Sequence, residues 1–241
     1  MPFEYYPLTK AAAHVHVDER ELRHAAQRGE IQHLKRGDGF FFERKMLDEW
    51  AQRRIMGLPS SKLAAAHRER TASERVRTAG RDAVVQDLLA KGAVEPCMAS
   101  KTKPGLLRDI VELSDRTGNL FDPAALLSEL EAREEAGSTA VGGGAAFLHA
   151  RFHDPYLAAE SFITLARTPS PLFFGAQDGE GTDIFFLVCC TDHAQHLHAL
   201  ARLCILVHGT GLLESIRAAE TAEDMLRVVA EAEDGWLGAN R

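Results

Sequence analysis

The chain has 241 residues, 45% of them hydrophobic and 26% charged, with a formal net charge of −7. That balance excludes a disordered chain and suits one large domain or two modest ones. The longest apolar runs, such as "DIFFLVCC" at 183–190, fall far below the roughly 20 residues of a membrane helix.

The start, "MPFEYYPLTK", lacks the basic opening and apolar stretch of a signal peptide, so a cytoplasmic chain without membrane association is expected. Charge is unevenly spread. Residues 1–57 carry 10 Lys/Arg against 9 Asp/Glu, residues 58–82 carry 6 against 3, and residues 83–241 carry 12 against 23. Two modules with different partners are implied. Four cysteines, at 97, 189, 190 and 204, match neither a metal-binding spacing nor a disulfide scaffold. Cys189 and Cys190 sit inside an apolar run and read as small buried side chains.

Residues 5–56 read as helix, turn, helix, hairpin, helix. Thr9 is placed to cap "KAAAHV", and Asp18 with Glu21 has capping-box spacing ahead of "ERELRHAAQR". Gly29 suits the left-handed end of that helix. "IQHLKRGDGFFFE" gives two strands around Gly37-Asp38-Gly39. "RKMLDEWAQRRIM" is an amphipathic helix that turns Leu47, Trp50 and Ile55 toward a small core. Residues 58–82, polar and basic with Pro and Ser at the start, form a solvated helix or tether and a domain boundary.

From residue 83 helices and strands alternate. "AVVQDLLAKG" opens the module, "AVEPCMA" is extended, and a helix follows over about 103–116. "DPAALLSELEAREEA" is a helix with Asp122 as cap and Pro123 in its first turn. "AAFLHAR", "AAESFITLAR" and "DIFFLVCC" read as strands; "AQHLHALARLCILVHG" and "TAEDMLRVVAEAE" read as closing helices. The class is mixed α/β.

The stretch "GSTAVGGGAAFLHAR" at 137–151 holds the residue types of an anion-handling site. It is not a P-loop, because Gly143 and Gly144 stand where Lys and Ser/Thr are required after Gly137 and Gly142. It is not a dinucleotide fingerprint either, since Phe147 occupies the place of the third glycine. What remains is a loop whose backbone N–H groups and hydroxyls, Ser138 and Thr139, can approach an anion. A neutral imidazole at His149 is a nucleophile near pH 7. Arg133 and Arg151 would neutralise charge spreading over a transferring phosphoryl group. His193 and His196 share a helical face, but without a carboxylate or cysteine at ligand spacing they do not make a zinc site. No metal and no cofactor is expected.

Two resemblances organise these readings. "YYPLTKAAAHVHVDERELRHAAQRGEIQHLKRGDGFFFERKMLDEW" resembles the excisionase-type, MerR-like winged helix-turn-helix family. "LLAKGAV", "SKTKPGLLRDIVEL", "LLSELEAREEAGSTAVGGGAAFLHAR" and "HLHALARL" together resemble the EIIA domain of the fructose/mannitol/nitrogen branch of the bacterial phosphotransferase system. The implied architecture is a winged helix-turn-helix at 1–57, a basic linker at 58–82, and an EIIA-type α/β domain at 83–241 whose mixed sheet is flanked by helices.

The EIIA resemblance places His149 at the phosphoacceptor position, Arg133 at the arginine ahead of "GST", and His196 at the second active-site histidine. His198, two helical residues on, would point away from it. Where the family reads Ile-Pro-His-Gly, this chain has Phe147-Leu148-His149-Ala150. The implied partners are a phosphocarrier resembling HPr or its nitrogen-branch counterpart and, for a carrier proper, an EIIB domain.

The winged-helix resemblance implies DNA contacts by Arg20, Arg23, His24, Gln27 and Arg28 on the recognition helix and by Lys35 and Arg36 on the wing. Glu19 and Glu21 occupy the first turn of that helix, where carboxylates repel phosphate. One such module makes few phosphate contacts, so a homodimer or a helper protein would supply the remaining affinity.

Overall fold

A computed structural model of the chain describes residues 4–58, 84–152, 154 and 156–239. The chain divides into two compact units, Met1–Ile55 and Met56–Arg241. The tether read over 58–82 lies, apart from Leu58, outside the described residues.

The first unit runs β1 (Tyr5–Pro7), α1 (Leu8–His14), α2 (Glu19–Gln27), β2 (Leu34–Arg36), β3 (Gly39–Glu43) and α3 (Arg44–Gly57). Strand β1 escaped the sequence reading. It pairs antiparallel with β3, Tyr6 opposite Phe42, and closes a three-stranded sheet of order β1-β3-β2. The strand also displaces the expected Thr9 cap. Pairing runs to Pro7, so α1 begins at once with Pro7 at its N-cap and Thr9 already inside the first turn. Asp18 does cap α2, its carboxylate accepting from Arg20 N at 2.7 Å. Glu21 does not complete a capping box; its carboxylate is held by Arg54 of α3, whose Nε donates at 2.9 Å. Leu22, Phe42, Leu47, Trp50 and Ile55 are buried and form the centre of the unit.

The second unit contains α4 (Val85–Leu89), β4 (Val94–Glu95), α5 (Lys103–Asp115), α6 (Pro123–Ala136), β5 (Ala140–Gly142), β6 (Ala145–Leu148), β7 (Phe162–Leu172), β8 (Thr182–Cys189), α7 (His193–Gly209), α8 (Leu212–Ala218) and α9 (Ala222–Ala239). The five strands lie in the order β4-β7-β8-β6-β5. The sheet is mixed: β4 is parallel to β7 and β6 to β8, while β7–β8 and β5–β6 are antiparallel. Strand β5 and helix α8 were not read from the sequence. β5 has only three half-buried residues, too few to show an alternation.

β6 and β8 are buried on both faces, which fits their near-continuous apolar sequences. Ala146, Leu148, Phe185 and Leu187 join one core cluster with Leu106 and Ile110 of α5 and Leu126 and Leu130 of α6. The alternate residues face the other way, where Phe147 packs edge-on against Phe186 with ring centroids 5.9 Å apart. Each fully buried Phe contributes on the order of 2–3 kcal/mol. Cys189, Cys190 and Cys204 are buried free thiols, and burial pushes Cys189 up to about 12. Among the described residues no single helix is long and apolar enough to cross a membrane.

Candidate functional site

Two helices and one strand end meet at His149. The residue directly follows β6, and continuing the strand's two-residue alternation puts it on the Phe147 side. Helix α6 is started by Pro123 and by Asp122, which accepts from Ala125 N at 2.9 Å. Its buried residues are Leu126, Leu130, Arg133 and Glu134, a helical stripe whose last turn changes from leucine to an ion pair's worth of charge. Helix α7 starts at the Asp192 cap, which accepts from Gln195 N at 2.8 Å.

These elements bring three of the expected residues together. Arg133 Nε donates to His149 Nε2 at 3.2 Å, and Arg133 Nη1 donates to Gly137 O at 2.7 Å. His149 Nδ1 lies 2.7 Å from the Phe147 carbonyl. A carbonyl only accepts, so Nδ1 carries the proton and Nε2 the lone pair. The His196 ring stands edge-on to the His149 ring, centroids 5.4 Å apart. His149 is completely buried. Burial, helped by the Arg133 charge and opposed by the Phe147 carbonyl, pushes its pKa down to about 3. The imidazole is therefore neutral, with an oriented lone pair on Nε2. His198, expected to point away, is buried as well.

The glycines and hydroxyls of 137–144 behave differently from the anion bed read in the sequence. Gly142, Gly143 and Gly144 all have positive φ, at 85°, 67° and 89°, and they form the β5–β6 turn at the end of β6 opposite His149. Four strand residues separate that turn from the histidine, roughly 13 Å at 3.3 Å per residue. The turn is also occupied: Gly143 N donates to Asp178 Oδ2 at 3.0 Å, and Arg217, paired with Asp183, donates to Gly143 O at 2.8 Å. These glycines build a hairpin at the far end of β6 from His149.

Ser138 and Thr139 do lie at the histidine's end, since Thr139 O accepts from Phe147 N at 3.1 Å. Both hydroxyls donate within the protein. Ser138 Oγ donates to Phe174 O at 2.8 Å, and Thr139 Oγ1 donates to the Glu134 carboxylate. The guanidinium of Arg151 lies over the Phe152 ring, 5.1 Å from its centroid.

Sequence reasoning missed Glu134 and Lys103. Glu134 accepts from Thr139 N at 3.1 Å and from the Thr139 hydroxyl, and it pairs with Lys103 of α5. The signal was present: Glu134 falls on the stripe begun by Leu126 and Leu130, where an unpaired carboxylate has no place.

In the first unit, Arg20, Arg23, His24 and Gln27 are exposed on α2, and Lys35 and Arg36 are exposed on β2. Lys35 and Arg36 are consecutive in a strand and point to opposite faces. Arg28 is exposed but engaged, its guanidinium gripping Glu30 at 2.6 and 3.2 Å. Glu21, expected to repel an approaching phosphate, is neutralised by Arg54.

Residues 87–232 match the family described as the phosphoenolpyruvate-dependent sugar phosphotransferase system, EIIA 2. The chain is 31% identical to a nitrogen regulatory protein of Bradyrhizobium diazoefficiens over 149 residues, 61% of this chain and 94% of that protein. It is 26% identical to a nitrogen regulatory protein of Pseudomonas aeruginosa over 153 residues, 63% of this chain and 97% of that one. The fold resembles the crystal structure of nitrogen regulatory protein IIA-Ntr from Neisseria meningitidis, with a TM-score of 0.54, 23% identity, and 61% of this chain and 99% of that chain covered. A mixed sheet with an oriented, neutral histidine at the end of β6 thus coincides with a match through most of the second unit, and the chain belongs to the EIIA 2 family of the phosphoenolpyruvate-dependent sugar phosphotransferase system.

Proposed function

We propose that His149 accepts a phosphoryl group from a phosphocarrier protein resembling HPr or its nitrogen-branch counterpart, and that the chain is a cytoplasmic regulator. The observation that carries this reading is the division of labour between the two ring nitrogens: Nδ1–H is anchored on the Phe147 carbonyl, and the Nε2 lone pair faces Arg133. In the transfer the donor's P–N bond breaks, the Nε2–P bond forms, and the Nδ1 proton stays in place. Arg133 then exchanges its bond to Nε2 for bonds to phosphoryl oxygens, where a planar guanidinium fits well. His196, edge-on to the ring, is placed to donate to the same group. His149 has no exposed surface, so transfer includes a local opening that admits the donor.

The same reading makes residues 1–57 a winged helix-turn-helix, 58–82 a basic tether and 83–241 the EIIA domain. Support for a DNA-binding first unit comes from its order of elements, the exposed cations of α2 and β2, and the neutralisation of Glu21 by Arg54. Phosphorylation adds close to two negative charges and three strong acceptors, and it would bias what the basic first unit and tether bind.

Incubation with phosphoenolpyruvate, enzyme I and the phosphocarrier, read on a phosphate-affinity gel, tests the proposal. An acid-labile shift that disappears in His149→Ala is the expected result, and no shift in the wild-type chain overturns it. Equal promoter affinity for both phosphorylation states would remove the regulatory half.

A further inference from the structure

Arg133 and Glu134 are consecutive on the last turn of α6, yet they serve opposite sides of the chain reversal at Gly137. Arg133 holds Gly137 O at 2.7 Å, and Glu134 holds Thr139 N at 3.1 Å together with the Thr139 hydroxyl. Thr139 O receives Phe147 N at 3.1 Å, and Phe147 O receives the His149 Nδ1 proton at 2.7 Å. Hydrogen bonds alternating with the backbone of Thr139 and Phe147 therefore connect the Glu134 carboxylate to the non-nucleophilic nitrogen of His149. The outer end of this connection is fixed by Lys103 in the first turn of α5. Lys103 pairs with Glu134, donates to Phe174 O at 3.3 Å, and lies over the Phe174 ring at 4.5 Å from the centroid.

The Glu134 side chain is buried whereas Lys103 is partly exposed, and a buried carboxylate is costly unless it is paired and hydrogen-bonded. Without Lys103 the buried Glu134 carboxylate would be left to draw on other cations, and Arg133 is its neighbour in the chain. Lys103 and Thr139 engage that carboxylate.

We propose that Lys103 and Glu134 are positioning residues for phosphoryl acceptance, holding Thr139 and, through it, the Phe147 carbonyl that fixes the His149 tautomer, and keeping Arg133 on Nε2. The inference rests on the phosphoacceptor reading of His149 for its rate consequence, but not for its structural one.

Ring ¹⁵N NMR of the full-length chain at pH 7 reads the tautomer, and single-turnover phosphorylation at varied donor concentration reads the rate. Glu134→Ala is expected to mix the two tautomers and to lower the maximal rate at least tenfold, with the half-saturating donor concentration changed less than twofold. Lys103→Met should have the same effects more weakly, and Lys103→Arg, which keeps the charge, should restore both readings. If circular dichroism shows Glu134→Ala unfolded, Lys103→Met against Lys103→Arg decides by the same readings. A single Nδ1–H tautomer and an unchanged rate in the folded variants overturn the proposal. A tautomer shift in a chain whose wild type takes no phosphate would instead sustain the positioning role and defeat the phosphoacceptor reading.

Discussion

Arg133 Nε lies 3.2 Å from His149 Nε2 while the same guanidinium reaches Gly137 O, so one side chain ties the end of α6 to the end of β6. Under the proposed function its charge would sit where charge develops when a phosphoryl group moves onto Nε2. Arg133→Met is expected to slow phosphorylation about 100-fold, the scale of losing one preorganised donor. Arg133→Lys should recover only part of this, because an ammonium lacks the planar fork. A quenched time course on phosphate-affinity gels measures both.

His149 is held neutral, its pKa pushed down to about 3, first by burial and then by Arg133. Phosphoryl acceptance should therefore show no protonation of His149 between pH 5 and 8. Stability should show it. In the unfolded chain His149 titrates near 6.5 and binds a proton that the folded state refuses, so stability falls as pH drops from about 6.5 toward 3. Between pH 7 and 5 that contribution is about 2 kcal/mol. Urea unfolding of the wild type and His149→Gln at both pH values isolates it, since the variant lacks that slope; identical slopes would contradict the assignment.

Glu233 of α9 accepts from Val84 N, Val85 N and Gln86 N at 3.0, 3.2 and 2.9 Å and from Arg202 Nη1 at 3.1 Å. Helix α4 has only five residues, and this carboxylate supplies the cap its own N-cap residue, Val84, does not provide. Arg202 and Glu233 are both fully buried. Glu233→Ala removes one acceptor from a buried cation and the shared acceptor of three amides, and should cost about 3–5 kcal/mol. Arg202→Met with Glu233→Met should lose less than Glu233→Ala alone, as measured by chemical denaturation.

Gly144, at φ 89°, would place a Cβ 2.7 Å from Asp183 Oδ1 and against the Arg217 guanidinium. Gly144→Ala should destabilise the second unit by about 2 kcal/mol or more, from positive-φ strain and from breaking the Arg217–Asp183 pair. Phosphorylation of the folded fraction should be unchanged, because the turn lies at the far end of β6.

For the first unit, Arg20→Ala with Arg23→Ala should weaken DNA binding and reduce the salt slope by about 2. Arg28→Ala should matter little, because Glu30 already engages that guanidinium. Arg54→Ala should weaken binding, since it frees the Glu21 carboxylate. Fluorescence anisotropy across a salt series reads all three.

Much of this was legible in the sequence. The Asp18 and Asp122 caps were local signals, and the apolar runs at 145–148 and 183–189 marked strands buried on both faces. Arg133, His149 and His196 were identified by resemblance, and they meet in the structure. What failed did so for non-local reasons. Three glycines near a histidine suggested part of an anion bed, but sequence proximity hid a strand that carries the glycines away from it, while Ser138 and Thr139 stay at the histidine's end. Thr9 lost its cap to a strand pairing 34 residues distant. Glu134 and Lys103 were overlooked because their partners come from another helix and from Thr139. A carboxylate continuing a leucine stripe was the clue.

The most direct test of the central claim is ³¹P and ¹⁵N NMR of the chain after phosphorylation by phosphoenolpyruvate, enzyme I and the phosphocarrier. The expected result is one phosphohistidine, at His149, with phosphorus coupled to Nε2 and the proton retained on Nδ1. Phosphorus on Nδ1, on another histidine, or on no residue would contradict it.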